Sequence, residues 1–430
     1  MTTFQQLQPH GRRRWRIAWL LGFGVLVNYF DRVNLSVSQD ALNTAFGVST
    51  VAFGVLASAY NWTYAACQLP IGVILDKLGV RRVGRIGTFL WSMASFAAAL
   101  SPSIPFLFGA RFLLGVGEAP TFPANAKAVG LWFPPHERGF STAIFDAAAK
   151  FGPAVGVPLL GMVLLAIGWR WSFAVTGIVS LAYFVLFWVI YRDPQDDPKL
   201  SEAERTYIGA HHSSATREAE QPSSFLSLLG QRKVIGLTIG FGGYNYVFYM
   251  LLTWLPGYLS MALHLDLLHS FLYTGAPWII ATATDLFIGG WLVDALIRRG
   301  WDASRVRRTV LIGGTACGLG ILGAAHPHSP LQAIAWISLS IGGLAAAAPV
   351  GWSLPSLIAR RADVGKVGGI MNFSNQVSGI AAPIVTGILI SRYHSFALAF
   401  AVPAVYLLIG IFMYLFVLGR IEVPQPAPRS

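Results

Sequence analysis

Charged side chains are scarce in this chain. They make up 12% of its 430 residues, whereas 54% of the residues are hydrophobic. An average soluble domain carries about 25% charged residues, so a soluble fold of this composition would lack the polar side chains to cover its surface. The scarcity excludes an ordinary soluble protein and indicates an integral membrane protein.

Cysteine and the motifs of nucleotide and metal binding are equally sparse. The two cysteines, Cys67 and Cys317, lie in separate apolar segments, which excludes a disulfide framework and a cysteine metal site. The chain has no Gly-x-x-x-x-Gly-Lys-Ser/Thr loop, so ATP-driven transport has no support. The histidines lie in loops or near the ends of apolar segments, without metal-ligand spacing. We therefore expect no enzyme activity, no metal and no cofactor.

Apolar runs of roughly 20 residues recur along the chain, each long enough to cross about 30 Å of hydrocarbon as a helix. The sequence predicts an all-α integral membrane fold with twelve transmembrane helices. The predicted spans are 17–40, 51–75, 83–103, 105–131, 140–165, 170–191, 234–260, 270–296, 309–326, 331–358, 367–391 and 396–418.

The positive charge is unevenly placed between these spans. The net charge is +12, and 25 of the 31 Lys and Arg residues fall on segments that share one side if the amino terminus is cytoplasmic. Only Arg170 and Arg392 fall on loops of the other side. This is the positive-inside pattern, so the basicity reflects orientation and not nucleic-acid binding. We expect a monomer in a bacterial inner membrane, in contact with lipid, with both termini cytoplasmic.

A polar segment divides the spans six and six. We expect an amino-terminal six-helix bundle over 1–191, a cytoplasmic linker over 192–233 that includes His211-His212, and a carboxy-terminal six-helix bundle with a short tail over 234–430. Ser201 and Glu204 fit a capping box, which predicts a short surface helix in the linker. Gly72-x-x-x-Asp76 and Gly290-x-x-x-Asp294 end the second span of each half. This repeat predicts two pseudo-symmetric bundles with a site between them.

A basic loop follows the second span and has a recognisable pattern. Its residues are Gly72, Asp76, Lys77, Gly79, Arg81 and Arg82. Their spacing resembles the signature loop of the major facilitator superfamily. The resemblance implies a conformational gate, with Asp76 near a helix N-terminus, where its charge is favourable, and with bases pairing across the loop. The alternative is a solvated loop that only sets topology.

Other stretches narrow this resemblance. They are Asn28 to Asn34, Arg111 to Pro120, Tyr244 to Tyr246 and Thr253 to Pro256. Together they resemble the anion:cation symporter family, which includes bacterial proton symporters of galactonate, glucarate and hexuronates. The resemblance implies proton-coupled import of a small organic anion, a sugar acid above all, by alternating access. The alternatives are a carrier of an aromatic or dicarboxylic acid, and a membrane sensor built on a transporter scaffold.

Asp31 and Arg32 are ionisable residues inside the first span, where a charge costs roughly 3 kcal/mol or more. As neighbours on a helix they point about 100° apart, so each needs its own partner. Asn28 shares the face of Arg32. The family resemblance implies that Arg32 holds the substrate carboxylate and that Asp31 takes up a coupling proton. A buried structural ion pair is the alternative.

Arg111 and Glu118 lie two turns apart on one face of the fourth span. An apolar setting favours the protonated form of Glu118, and a nearby anion favours it further. The resemblance makes Glu118 the second protonation site and leaves Arg111 as a supporting charge. The alternative is that both residues are structural.

Asp146 and Lys150 form a favourable i, i+4 pair in the fifth span. The related sugar-acid carriers have an uncharged residue around positions 149–150, so Lys150 is a departure. Lys150 either binds the substrate or is neutralised by Asp146, and the sequence leaves both open. Asp285, in the eighth span, has no evident partner and its role is open.

Uncharged polar and aromatic side chains inside spans complete the expected substrate site. They offer the donors, acceptors and flat rings that a polyhydroxylated anion requires. The expected substrate-binding residues besides Arg32 and Lys150 are Asn28, Tyr29, Tyr64, Trp352, Ser353, Asn372 and Asn375, with Tyr60, Gln68 and Gln376 as further candidates. Each of these could instead only hold helices together.

Overall fold

The computed structural model describes residues 11–134, 137–210, 223–360 and 363–421, and within them every regular element is helical. The α-helices are α1 Arg13–Val37, α2 Gln39–Phe46, α3 Thr50–Ala99, α4 Ile104–Glu118, α5 Thr121–Trp132, α6 Arg138–Ile167, α7 Trp169–Ile190, α8 Glu202–Ala210, α9 Phe225–Leu229, α10 Arg232–Met261, α11 Leu267–Thr284, α12 Val293–Arg298, α13 Ala303–Gly318, α14 Pro330–Ile358, α15 Val364–Tyr393 and α16 Ala397–Phe412. π-helical turns cover Asp285–Leu292 and Met413–Leu418, and a 3-10 helix covers Leu319–Ala324.

These helices supply the twelve predicted spans. Seven runs in the described part of the chain are long and apolar enough to cross a membrane: α6, α7, α10, the run from α11 through α12, α14, α15, and α16 with its π turn. The other five spans are α1, the two parts of α3, α4 with α5, and α13 with its 3-10 extension. Of these five, the first part of α3 passes the same criterion when it is joined with α2, whereas α4 and α13 are only 15 and 16 residues long by themselves. The all-α membrane fold is confirmed, with span ends within a few residues of those predicted.

The second and third spans form one element of 50 residues, broken only at Gly79. Gly79 has φ +75°, a conformation that costs glycine little because it has no Cβ. The predicted loop between the spans is therefore a sharp turn between two helices with hardly any irregular chain. The signature residues Gly72 to Arg82 lie on both sides of it.

The packing of the helices separates two halves. In the first half, α1 packs on α6 and α7, and α3 packs on α4 and α7. In the second half, α10 packs on α15 and α16, and α14 packs on α11 and α13. Contacts of α3 with α15, α6 with α11, and α1 with α10 join the halves. The boundaries predicted for the two bundles and the linker, at 1–191, 192–233 and 234–430, stay a prediction.

The two ends of the molecule differ. We call the end with Arg13, the Gly79 turn and Arg360 the basic end, and the end with residues 38–49 and 262–266 the opposite end. Near the opposite end the halves touch closely: a Cβ on Gly54 would collide with the Pro383 carbonyl oxygen, and one on Gly275 would lie 2.7 Å from that of Ala154. Glycine at these two positions lets helices of different halves approach at backbone distance.

The segment after α7 packs against the first half. Ser201 accepts from the Glu204 N–H at 3.3 Å, as a helix cap does, and the predicted short helix is present as α8. The Glu204 carboxylate accepts from the N–H groups of Arg13 and Arg14 at 3.2 Å and so caps α1. Arg14 also donates to Glu204 at 2.8 Å and to Glu137 at 2.7 Å. His211-His212 lies outside the described residues.

Beyond that gap the chain attaches to the second half. The Ser223 N–H and hydroxyl both donate to Asp363, each at 2.7 Å. These bonds to the ionised carboxylate hold the pKa of Asp363 below its usual value.

Candidate substrate and proton site

Arg32 lies at the centre of an aromatic cage in the first half. Its guanidinium carbon is 4.7 Å from the ring centroid of Tyr29, 4.9 Å from that of Tyr60 and 5.5 Å from that of Tyr64. Ring faces attract a cation, and these also exclude water from it. Tyr60 and Tyr64 are four residues apart on α3, so both rings lie on the side of the helix that faces α1.

One edge of the Arg32 guanidinium is paired and another is not. Its Nε donates to Glu118 Oε2 at 2.8 Å, and both side chains are buried. Glu118 is the last residue of α4, just before Ala119-Pro120, and its side chain reaches Arg32 on α1. Arg32 Nη2 and Glu118 Oε1 have no hydrogen-bond partner among the described residues. The buried pair thus retains one donor and one acceptor without a described partner.

Asp31 lies on a different side of α1 from Arg32. Its two carboxylate oxygens accept from Ser95 Oγ at 2.6 Å and from Ser180 Oγ at 2.7 Å. Arg111 donates to the Asp31 backbone carbonyl at 3.4 Å, and its guanidinium lies 5.3 Å from the Tyr60 centroid. Asp31 is therefore held by neutral hydroxyls of α3 and α7, within the bundle and away from the cage.

Asn28 and Tyr29 extend the face of α1 that carries Arg32. Asn28 is buried, and neither its amide oxygen nor its amide nitrogen has a described partner. The Tyr29 ring lies 6.2 Å from that of Phe248 in α10 and so faces the second half. Because buried polar groups are nearly always hydrogen-bonded, an unpaired amide beside an unpaired guanidinium nitrogen marks a place for a polar ligand.

The second half contributes amides and aromatic rings. Asn375 accepts from Asn245 at 2.7 Å, and its own Nδ2 has no described partner. Asn372 donates to Gln68 of α3 at 2.9 Å and so links the halves. The Trp352 ring is 41% exposed and packs edge-on against Phe241. The Ser353 hydroxyl donates to Val350 of its own helix, which leaves it without a free donor.

Lys150 lies between two carboxylates. Its ammonium is 2.7 Å from Asp146 Oδ2 on the same helix and 2.6 Å from Asp285 Oδ2 of the second half. Asp285, which had no evident partner in its own span, thus pairs across the boundary between the halves. Lys150 is neutralised by Asp146 and is also paired with Asp285. Its geometry therefore favours a structural ion pair over a site that binds the anionic substrate.

The signature residues after the second span lie apart from this site, at the basic end. Asp76 pairs with Lys127 of α5 at 2.6 Å, and Lys127 also donates to the Leu75 carbonyl. Asp76 thus contacts a lysine inside the fourth span and not a helix N-terminus. Arg81 approaches Asp196 at 4.0 Å. The remaining signature positions Gly72, Lys77 and Arg82 are exposed.

Sequence reasoning did not identify several groups that hold the site together. Ser95 and Ser180, the partners of Asp31, give no signal because a serine in an apolar helix looks like packing. At the basic end, the partner of Asp76, Lys127, is visible in the sequence only as a charge within a span. Tyr60, in contrast, was among the sequence candidates because of its four-residue spacing from Tyr64.

Comparison with known proteins agrees with this architecture. Residues 21–301 and 300–430 match the Major Facilitator Superfamily. The chain is 37% identical to an uncharacterised transporter of Bacillus subtilis, YybO, over 97% of each chain. It is 31% identical to a D-galactonate transporter of Escherichia coli O6:H1, over 96% of this chain and 97% of the other.

A solved structure supports the fold independently. A bacterial homolog of the human lysosomal transporter Spinster, in an inward-facing and occupied conformation, superposes with a TM-score of 0.73 at 15% identity, over 95% of this chain and 97% of that one. At this identity the likeness concerns the fold alone. Helix order, the signature loop and the sequence match lead to one conclusion: the chain belongs to the major facilitator superfamily.

Proposed function

We propose that this protein is a proton-coupled symporter that imports a small organic anion, a sugar acid, by alternating access. It resides in a bacterial inner membrane as a monomer, with the basic end in the cytoplasm in accordance with the positive-inside rule. It uses no cofactor, and its coupling ion is H⁺.

The observation that carries this proposal is the incomplete pairing of Arg32. A guanidinium caged by three tyrosines, with Nη2 unpaired and buried, is suited to receive a carboxylate. Charge-assisted bonds of this kind are short and about twice as strong as neutral ones. The resemblance to a D-galactonate transporter supports an anion that also carries hydroxyl groups.

The surroundings suit a polyhydroxylated carboxylate. Asn28 and Asn375 offer unpaired buried amide groups, and an amide both donates and accepts. The tyrosine rings of the cage present flat apolar faces on which the C–H groups of a sugar acid can pack.

Glu118 provides a physical route to coupling. An incoming carboxylate competes with Glu118 for Arg32, and a buried carboxylate that loses its cation favours the protonated form. Proton and anion then strengthen each other's binding by the same factor, as linkage requires. Asp31, buried on two serine hydroxyls, is the second coupling acid in this scheme.

The test begins with thermal stability of the purified protein in a panel of aldonates, aldarates, hexuronates and aromatic acids. A bound ligand raises apparent stability by RT ln(1 + [L]/Kd). We expect at least one sugar acid to stabilise the wild type and not Arg32→Gln, and to be accumulated by proteoliposomes under an inward proton gradient.

Three results would count against the proposal. Stabilisation by aromatic acids alone would make the protein a carrier of a different class. Stabilisation without any uptake would favour a membrane sensor. Uptake that does not depend on the proton gradient would exclude symport with H⁺.

A further inference from the structure

The Lys150 ammonium lies between carboxylates of opposite halves, and this arrangement is separate from the Arg32 cage. Asp146 is on α6, one turn before Lys150, whereas Asp285 is where α11 passes into the π turn Asp285–Leu292. The side chains of Lys150 and Asp285 are 3% and 1% exposed, and that of Asp146 is 15% exposed. Asp285 is thus the acid that is shielded more completely from water.

The two acids differ in what happens to them when the halves move. Asp146 and Lys150 share one rigid helix, so their distance is kept in every conformation. Asp285 meets Lys150 only while α6 and α11 are packed together. Along this seam Gly275 packs on Ala154 and Gly161 on Phe271, and the ion pair lies beyond these contacts towards the basic end. Opening of this seam from the opposite end, as loading of an imported anion requires, separates Asp285 from its cation.

Separation changes the charge state that Asp285 prefers. Lys150 stabilises the ionised carboxylate, and a buried carboxylate without a cation favours the protonated form. Lys150 keeps Asp146 as its partner, so after separation only Asp285 is left without a positive charge beside it. Among the described residues, the groups around it offer no replacement cation: Tyr244 of α10 interacts with all three residues, and α14 brings the uncharged Ala346 and Pro349 against the π turn at Gly289.

The local backbone is also unusual at this position. A π turn is a rare interruption of an α-helix and is frequently found at functional sites. Here it begins at Asp285, so the acid lies at the point where the eighth span departs from regular geometry.

We propose that Asp285 is a further proton-coupling residue, one that binds a proton when the halves part at Lys150 and releases it when the pair re-forms. The proton comes from water at the opposite end, to which the parted halves open, and it is released to water at the basic end after the pair re-forms and the halves open there. This inference rests on the proposed function, because it concerns the number of protons that accompany the anion.

The experiment measures the number of protons moved per anion. Wild type and variants are reconstituted in liposomes with D-galactonate as the probe, and the anion gradient that balances a set pH gradient and membrane potential gives the ratio. We expect Asp285→Asn to retain counterflow and to carry one proton fewer per anion. Asp146→Asn removes the same charge and the same volume, and we expect it to keep the wild-type ratio. Asp285→Glu should restore the ratio.

A second variant keeps the test decisive if Asp285→Asn does not fold. In Lys150→Gln, Asp285 never has the cation, so its proton affinity no longer depends on conformation and the ratio again falls by one. Lys150→Arg should preserve it. A wild-type ratio in Asp285→Asn or Lys150→Gln would overturn the inference, and so would an equal fall in Asp146→Asn. The proposed function fails separately, if the wild type accumulates no organic anion under a proton gradient.

Discussion

The two halves share a helical plan and differ in the chemistry of their interiors. Among the described residues the spans of the first half bury Arg14, Asp31, Arg32, Arg111, Glu118 and Lys150, whereas the second half buries only Asp285 and Asp363. In place of charges the second half presents amides and rings, such as Asn245, Asn375 and Trp352. A buried charge is expensive, so its concentration in one half indicates where ionic chemistry occurs.

The contrast suggests a division of labour. In the function that we propose, the first half would hold the charged end of the anion and the titrating acids, and the second half would recognise the neutral remainder of the molecule. Asp285 is the exception, since it belongs to the second half and is paired with a cation of the first. The predictions below test this division, beginning with the largest expected effect.

Arg32→Gln should abolish anion binding while the protein stays folded. The substitution removes the cation of the cage, and loss of one partner from a buried charge pair costs about 2–5 kcal/mol. We expect affinity to fall by a factor of about 30 or more. Ligand-induced thermal shift measures the change, and Arg392→Gln, on an exposed position at the opposite end, is the control. If Arg32→Gln bound the anion with wild-type affinity, the first half would not be the part that recognises the anion's charge.

Glu118→Gln and Asp31→Asn should each lose gradient-driven accumulation and retain counterflow. The amides mimic the protonated acids: the glutamine oxygen can still accept from Arg32, and the asparagine side chain can still bond to Ser95 and Ser180. Exchange of substrate therefore continues while no proton moves at that site. Uptake under a proton gradient beside counterflow in the same liposomes distinguishes the two activities. If both variants accumulated substrate as fully as the wild type, the proton-coupling residues would have to lie outside the first half.

Lys150→Gln should destabilise the protein, by about 3 kcal/mol, because it leaves two carboxylates, the buried Asp285 and the less buried Asp146, without their cation. Lys150→Gln combined with Asp285→Asn should regain part of that loss, since the more completely buried of the two charges is then gone. Thermal unfolding of the single and double variants gives the coupling energy. The substrate panel should be repeated with Lys150→Gln: an altered set of accepted anions would mean that Lys150 also touches substrate, against the geometry.

Asn375→Ala should have the smallest effect. It removes one neutral hydrogen bond to Asn245 and one free amide group, together worth about 1–2 kcal/mol. We expect a moderate loss of sugar-acid affinity and an unchanged proton requirement. Binding and driven uptake measured side by side would show this, with Ser353→Ala as a control whose hydroxyl is already satisfied by its own helix. Loss of coupling in Asn375→Ala would contradict the division between the halves.

The twelve spans, their order and the signature loop were all predictable from the sequence. A bilayer requires each spanning helix to satisfy its backbone internally and to be apolar over a fixed length, so a span is a local property of the chain. Arg32, Asp31 and Glu118 stood out for the same reason, because a charge inside a span is costly wherever its partner lies.

Tertiary structure alone decided which charges meet. Arg32 and Glu118 are 86 positions apart, and no periodicity connects them. The adjacency of Asp31 and Arg32 predicted separate partners but not the serines that hold Asp31. Lys150 had a visible neighbour in Asp146, and only the packing of α6 against α11 brought Asp285 to its other side. Pairing energy depends on distance and burial between helices, and neither is encoded within the helix that carries the charge.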